Sequence, residues 1–296
     1  MAPALLYNDD SEVCRPSTHG ICSAESSVAP TIAKLDFQAY KDETILISDI
    51  VKSLKTSGGC IVRGMYRQGT LKALEVELRP HIEATKKADQ QRENFHGDEA
   101  RSSVSLPQLS TTVTFSVGPG TKAQGLHRDD DIYHTQHPAT STHQEGRDNT
   151  LCLFVAGKKC TKQNGATRIV PGSHLWDFTT PPPSYTKSSE MFAHAEMMPG
   201  DAFFMLGGVY HGAGSNTTTK EERLVYAAFA TRGYLRQEEN QYLANDLSKI
   251  AKLPLHIQRF AGFGSSKPYM GWVGDDMEEP VKLLNPDAEM EDPGFW

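Results

Sequence analysis

From about residue 108 onward the chain is a succession of short β-branched or aromatic runs, and nothing else in it constrains the fold as much. "STTVTFSV", "TLCLFVAG", "ATRIV", "DAFFML" and "RLVYAAFAT" each have the length of a strand and are set apart by turn signals. Pro171-Gly172 and Pro199-Gly200 suit type II turns, where glycine supplies the positive φ. No helix-length pattern alternates with these runs, so the texture argues against a parallel βαβ sheet and for an antiparallel sandwich or barrel.

The flanks read differently. Residues 1–34 are rich in Ser, Ala and Pro without a sustained period, and are predicted to form a loose N-terminal arm. "SDIVKSLKTSGG" sets Ile50, Val51 and Leu54 at helical spacing, with Ser48 as candidate N-cap and Gly58-Gly59 as the stop, and "CIVRG" follows as a strand. A second helical pattern runs through Leu71, Leu74, Val76 and Leu78 and is predicted to break near Pro80. The polar residues 87–106 suggest a loop or lid. "NQYLANDLSKIAKLPLHIQRF" reads as a helix up to Pro254, and "DAEMEDPGFW" as the end of an acidic tail. The predicted division is an arm over 1–34, a single domain over 35–275 and a tail over 276–296.

Charge narrows the partners. A net charge of −7 and a pI near 5.9 offer no basic face to nucleic acid or to an anionic membrane surface. No apolar run approaches the roughly 18 residues that span a bilayer. The opening "MAPALLYNDD" lacks the basic region of a signal peptide. The five cysteines form an odd set without CxxC spacing, which points to a reducing compartment and a cytoplasmic location. Cys60 and Cys152 lie in apolar runs and are predicted to be buried. The sequon at Asn216 matters only in a secreted chain.

"GLHRDDDIYHTQHP", residues 125–138, holds three aspartates and three histidines. On a strand, residues i and i+2 share a face, so His127 and Asp129 can converge on one ion. Asp130 would then turn away, and Asp131 would lie one pleat further off. His134 and His137 could chelate from a helix, but Pro138 and the polar surroundings read as loop. A histidine and an aspartate two apart also occur on surface loops. A third ligand brings the metal-site reading level with the loop reading, and the best is His211, which ends an apolar strand among glycines. Two histidines and one carboxylate form the facial triad of non-haem Fe(II), with three positions left open. Activating O₂ at such an iron needs electrons that a 2-oxo acid can supply by oxidative decarboxylation. Its far carboxylate then calls for a buried guanidinium. Arg223, opening the strand "RLVYAAFAT", is placed for this role, although an arginine at a strand start is more often a surface residue. Lys122 and Arg168 are the other candidate cations.

With these residues assembled, the sequence resembles the phytanoyl-CoA dioxygenase family of Fe(II)/2-oxoglutarate oxygenases. The resemblance rests on "AQGLHRDD" (123–130), "NGATRIVPGSHLW" (164–176), "PGDAFFMLGGVYHGAG" (199–214) and the Arg223 strand, and spans roughly residues 45–275. It is similar above all to fungal members that tailor alkaloids and terpenoids. The resemblance implies a double-stranded β-helix, or jelly-roll, core with flanking helices. It implies His127, Asp129 and His211 as iron ligands, and Arg223 as the 2-oxoglutarate anchor. It also implies that the Gln124 amide contacts the co-substrate and that Thr167 lines the same pocket. Some relatives replace the carboxylate ligand and halogenate; Asp129 is present here, which implies hydroxylation, desaturation or rearrangement of a small natural product, with O₂ consumed and succinate and CO₂ released. Ile132 is a candidate substrate-lining residue. The polar stretch 87–122 is shorter than in relatives, which suggests an altered lid or a pocket completed by a homodimeric or paralogous partner. A non-catalytic partner of an active paralogue is the alternative function.

Overall fold

Each β-branched or aromatic run named above forms a strand, but His211 opens a separate short strand instead of ending the apolar one. The computed structural model describes residues 31–85, 105–183, 191–266, 270–274 and 277–289. Nine strands, β1 (Ala33–Asp36), β2 (Gly59–Arg63), β3 (Pro107–Val117), β4 (Thr150–Ala156), β5 (Thr167–Ile169), β6 (Ala193–His194), β7 (Ala202–Leu206), β8 (His211–Ala213) and β9 (Arg223–Arg232), make two sheets. The larger has the order β1-β2-β7-β4-β9-β3 and the smaller β6-β5-β8. Only β1 and β2 pair in parallel; the other pairs are antiparallel. One cavity is lined jointly by β3, β4 and β9 from the large sheet and by β5 and β8 from the small one, so the sheets face each other across it. This is the jelly-roll arrangement, with helices outside.

The core forms where the sheets close. Ile61, Ile169, Phe203, Met205 and Val209 are fully buried in one cluster. Each such side chain contributes about 1.5–3 kcal/mol over leaving it exposed. Helix α1 (Glu43–Ser57) adds Leu46, Ile50 and Leu54 to that cluster. It begins earlier than Ser48: Asp42 is the N-cap, its side chain accepting from the Thr44 N–H at 2.8 Å. It stops at Gly58, whose φ of 78° is costly for any side chain.

Helix α2 (Gln68–Thr85) runs through Pro80 instead of breaking there. Pro80 and Val76, four residues earlier, both face solvent, so water can serve the carbonyl the proline leaves unbonded. Val76 is 70% exposed and lies off the core face, unlike the buried Leu71. The segment after residue 240 is not one helix but three short ones, Gln241–Ala244, Leu247–Ile250 and Leu255–Gln258. Asn240 and Asp246 each cap a new start with a side-chain acceptor, and Asn245 is extended between them. Within the segment read as a tail, Val281–Leu284 is helical, and Val281 is buried with Ala261 and Phe263.

Of the stretch 87–122, residues 87–104 lie outside the described residues. Residues 107–117 are β3, a wall of the cavity rather than a cover. Cys60, Cys152 and Cys160 are buried free thiols, and Cys14 and Cys22 lie outside the described residues. Asn216 is buried and its amide donates to Val117 O and Glu221 O, which removes it as a glycan acceptor. Among the described residues no helix is long and apolar enough to cross a membrane.

Candidate active site

The stretch that carries His127 is extended only briefly. His127 and His211 exchange both backbone hydrogen bonds at 3.0 Å, so an antiparallel bridge joins the two histidines' backbones directly. Gly212 permits the approach, since a Cβ there would sit 2.7 Å from Gly125 O. Arg128 continues extended, and Asp129 opens a 3₁₀ turn, Asp129–Tyr133. The predicted strand thus ends after two residues, yet those two suffice to put His127 and Asp129 on one side.

The three side chains meet. Asp129 Oδ1 lies 3.5 Å from His127 Nε2 and 3.5 Å from His211 Nε2, and the imidazole centroids are 4.4 Å apart. Among the described residues this is the only group of three or more ligating side chains close enough to share an ion. His127 Nδ1 lies 3.1 Å from Gly125 O, and His211 Nδ1 lies 3.0 Å from Val209 O. A carbonyl only accepts, so each Nδ1 carries a proton, which leaves each Nε2 as the nitrogen that would present its lone pair to an ion. Burial pushes His211 below its ordinary pKa; at His127 burial acts the same way, but the Asp129 carboxylate outweighs it and the net shift is upward. Burial works against the Asp129 carboxylate too, yet His211, His127 and the Cys152 thiol together hold it down at about 2. Two imidazole nitrogens and one carboxylate oxygen, from half-buried His127 and Asp129 and buried His211, are a fitting donor set for Fe(II).

The other members of "HRDDDIYHTQHP" do different work. Asp130 is fully buried and points away, its Oδ2 accepting from Asn149 N at 3.2 Å. His134 ends the turn with φ 57°, and His137 Nε2 contacts Arg147 O at 2.7 Å, with its ring edge-on to Phe178.

A cavity of about 610 Å³ opens on the triad and extends to Arg223. Gln124, Thr167 and Ile132 line it, as do Val113, Phe115, Phe154 and Phe229. Arg223 is 4% exposed; its Nε is buried without a hydrogen-bond partner, and its Nη1 reaches Thr167 Oγ1 at 3.5 Å. Burial depresses its pKa, and among the described residues no carboxylate is within ion-pair distance of it. The adjacent Glu222 is taken by Arg79 at 2.9 Å and Lys158 at 2.7 Å. A buried guanidinium left in this state is poised for an anion from the cavity. Gln124 Oε1 accepts from Ala213 N at 3.2 Å, which leaves its amide NH₂ for the cavity. Of the alternative cations, Arg168 is committed to Gln124 O at 2.6 Å, while Lys122 lies exposed on the cavity wall.

The phytanoyl-CoA dioxygenase family profile matches residues 101–225, which contain the triad and Arg223. Dioxygenase cnsJ of Penicillium expansum is 32% identical over 295 residues, covering 84% of this chain and 85% of its own length. The chain belongs to the phytanoyl-CoA dioxygenase family. Dioxygenase peniF of Penicillium patulum is 31% identical, with 82% and 90% covered, and dioxygenase himG of Aspergillus japonicus is 29% identical, with 96% of each covered. Membership makes the chain an oxygenase that uses Fe(II), 2-oxoglutarate and O₂.

Two residues around the site escaped sequence reasoning. Arg128, between His127 and Asp129, is 1% exposed and turns the opposite way. It donates to Gly208 O at 2.9 Å and Ser173 O at 3.1 Å, and its guanidinium lies 4.1 Å from the Phe178 ring centroid and 3.8 Å from that of Tyr210. It fastens the His127–Asp129 stretch to the turn before His211. The period of two that places His127 and Asp129 on one side also sends the residue between them inward, which was the available signal. Cys152 was recognised only as buried. Burial keeps its pKa well above the ordinary thiol value, and its Sγ–H donates to Asp129 Oδ2 at 3.1 Å.

Proposed function

We propose that residues 35–275 form one oxygenase domain that oxidises a C–H bond of a small natural product of fungal secondary metabolism. In this reading His127, Asp129 and His211 hold Fe(II), and Arg223 with Thr167 receives the distal carboxylate of 2-oxoglutarate. The carrying observation is the pairing, in one cavity, of a convergent donor set with a buried guanidinium that has no acid of its own. Bound iron and 2-oxoglutarate supply the oxidising power: one oxygen atom of O₂ goes to succinate, CO₂ is lost, and the substrate is oxidised.

The chain's own residues fix where this happens. Arg223 and Thr167 set the depth of the co-substrate, and the Gln124 NH₂ donates to it from the side. Phe115, Phe154 and Phe229 with Ile132 make an apolar wall that keeps water out and faces a hydrophobic scaffold. A cytoplasmic location and assembly with a second copy or a paralogue accompany this reading. The test is succinate release from 2-oxoglutarate under O₂ with iron supplied, against a panel of fungal terpenoids, alkaloids and polyketides. Turnover that requires no 2-oxo acid refutes the reading.

A further inference from the structure

Resting on Asp129 as an iron ligand, the geometry points to Cys152 as the residue that positions this carboxylate and keeps it bound through one oxygen. The two oxygens of Asp129 face different ways. Oδ1 is 3.5 Å from both Nε2 atoms, whereas Oδ2 accepts the Cys152 S–H at 3.1 Å.

The donor is the rigid member of the pair. Cys152 lies in β4, which is hydrogen-bonded on both sides, with Met205 of β7 and Phe229 of β9 as its register partners, and it is wholly buried. Asp129 opens a five-residue 3₁₀ turn with no side-chain cap, so its own backbone holds the carboxylate less firmly. The thiol therefore fixes the carboxylate plane: Oδ1 faces the ion and Oδ2 is withheld from it. The withholding matters because a facial triad leaves three positions, of which a chelating 2-oxo acid takes two and O₂ the third. A second oxygen from Asp129 would compete for one of them. A thiol also suits the task chemically, since S–H is a weak donor and orients Oδ2 while drawing little charge from Oδ1.

The test uses the metal-free protein titrated with Co(II), whose d–d absorption reports coordination, for wild type, Cys152→Ser, Cys152→Ala and Cys152→Val. Ser retains a donor; Ala and Val lose it from opposite sides in volume, and melting temperatures separate packing damage from coordination. Co(II) affinity in Cys152→Ser should stay within about three-fold of wild type, while Cys152→Ala and Cys152→Val both weaken roughly tenfold, the usual cost of losing an outer partner of a metal ligand. Their d–d spectra should change, and 2-oxoglutarate should bind the Co(II)-loaded forms more weakly. A Cys152→Val protein with wild-type affinity and spectrum overturns the inference, as does a folded Cys152→Ser as weak as Cys152→Val. Asp129→Ala tests the underlying assignment separately: undiminished Co(II) binding there refutes Asp129 as a ligand.

Discussion

Replacing Arg223 tests the co-substrate reading most directly, because the structure sets its cost from two sides. Without 2-oxoglutarate, Arg223 is a desolvated cation with a single 3.5 Å contact to Thr167 and a bare Nε. Burying such a charge unpaired opposes folding, so Arg223→Met, which fills similar volume, should melt higher than wild type in the absence of 2-oxoglutarate. With 2-oxoglutarate bound, the same guanidinium acquires a carboxylate, and hydrogen bonds to a charged group contribute about 1.5–3 kcal/mol, or roughly ten- to a hundred-fold in affinity. Arg223→Lys keeps the charge but loses the planar fork, so its KM for 2-oxoglutarate should rise by about that factor. Arg223→Met should rise further. Ligand stabilisation follows the same logic: at a hundred times Kd, 2-oxoglutarate should stabilise the wild type by about 2.7 kcal/mol, and that gain should vanish in Arg223→Met. The assays are thermal melting with and without 2-oxoglutarate, and succinate release against its concentration. An unchanged KM and an unchanged thermal shift in Arg223→Met would refute the argument and leave Lys122 as the candidate cation.

His127→Ala, Asp129→Ala and His211→Ala should each lose iron and turnover, whereas His134→Ala and His137→Ala should keep iron by metal analysis; the reverse pattern would break the assignment. Arg128→Met should lower the melting temperature by several degrees and weaken metal binding without touching the ion, because three backbone carbonyls lose their donor. Burial opposes ionisation of Glu222, but Arg79, Lys158 and Ser116 hold its pKa down from 4.5 to about 2, so the folded state keeps the anion longer than the unfolded chain does. The stability that Glu222 adds is present above pH 4.5 and is lost as pH falls toward 2, so the melting difference between wild type and Glu222→Gln should shrink over that range. Phe115→Ala and Ile132→Ala should change which products form and how tightly substrate binds, while the KM for 2-oxoglutarate stays within a few-fold; an equal rise in both constants would contradict the division of the cavity.

How much of this was legible depended on the range of the interaction that fixes each part. The long strands were readable because β-branched and aromatic runs carry their own propensity. β6 and β8 have two and three residues and depend on partners distant in sequence, β5 for both and His127 for β8 as well, which no local pattern announces. The helical reading of 240–254 failed because Asn245 is extended and the Asp246 side chain caps a new start, so the helix that Asn240 begins does not continue. At the site, alternation found His127 and Asp129, and the glycines around His211 marked where a backbone could come close. Arg128 looked like one more charge in a polar loop, since the rings that clasp it come from Phe178 and Tyr210, far along the chain. Cys152 looked like ordinary core, and only the fold sets its thiol against Asp129.

The same contrast explains why the chemistry was readable and the substrate was not. Iron and 2-oxoglutarate are the same partners whatever the substrate, and the groups proposed to meet them sit in short motifs whose spacing follows from strand geometry: a histidine and an aspartate two residues apart, a histidine at a glycine-flanked strand, an arginine opening the next long strand. The apolar wall of the cavity, proposed to face the substrate, is gathered from β3, the turn after Asp129, β4 and β9, through Phe115, Ile132, Phe154 and Phe229. Each of these, taken singly, is an apolar residue of the kind any jelly roll buries. Their common orientation is a product of register: Phe115 pairs with Val225, Phe154 with Ala227, and a slip of one residue would turn each to the other face. On the proposed function, substrate choice would be written in strand register and in side-chain volume at positions with no chemical signature, so exchanging such residues should change the scaffold accepted without disturbing the groups proposed to handle iron and 2-oxoglutarate.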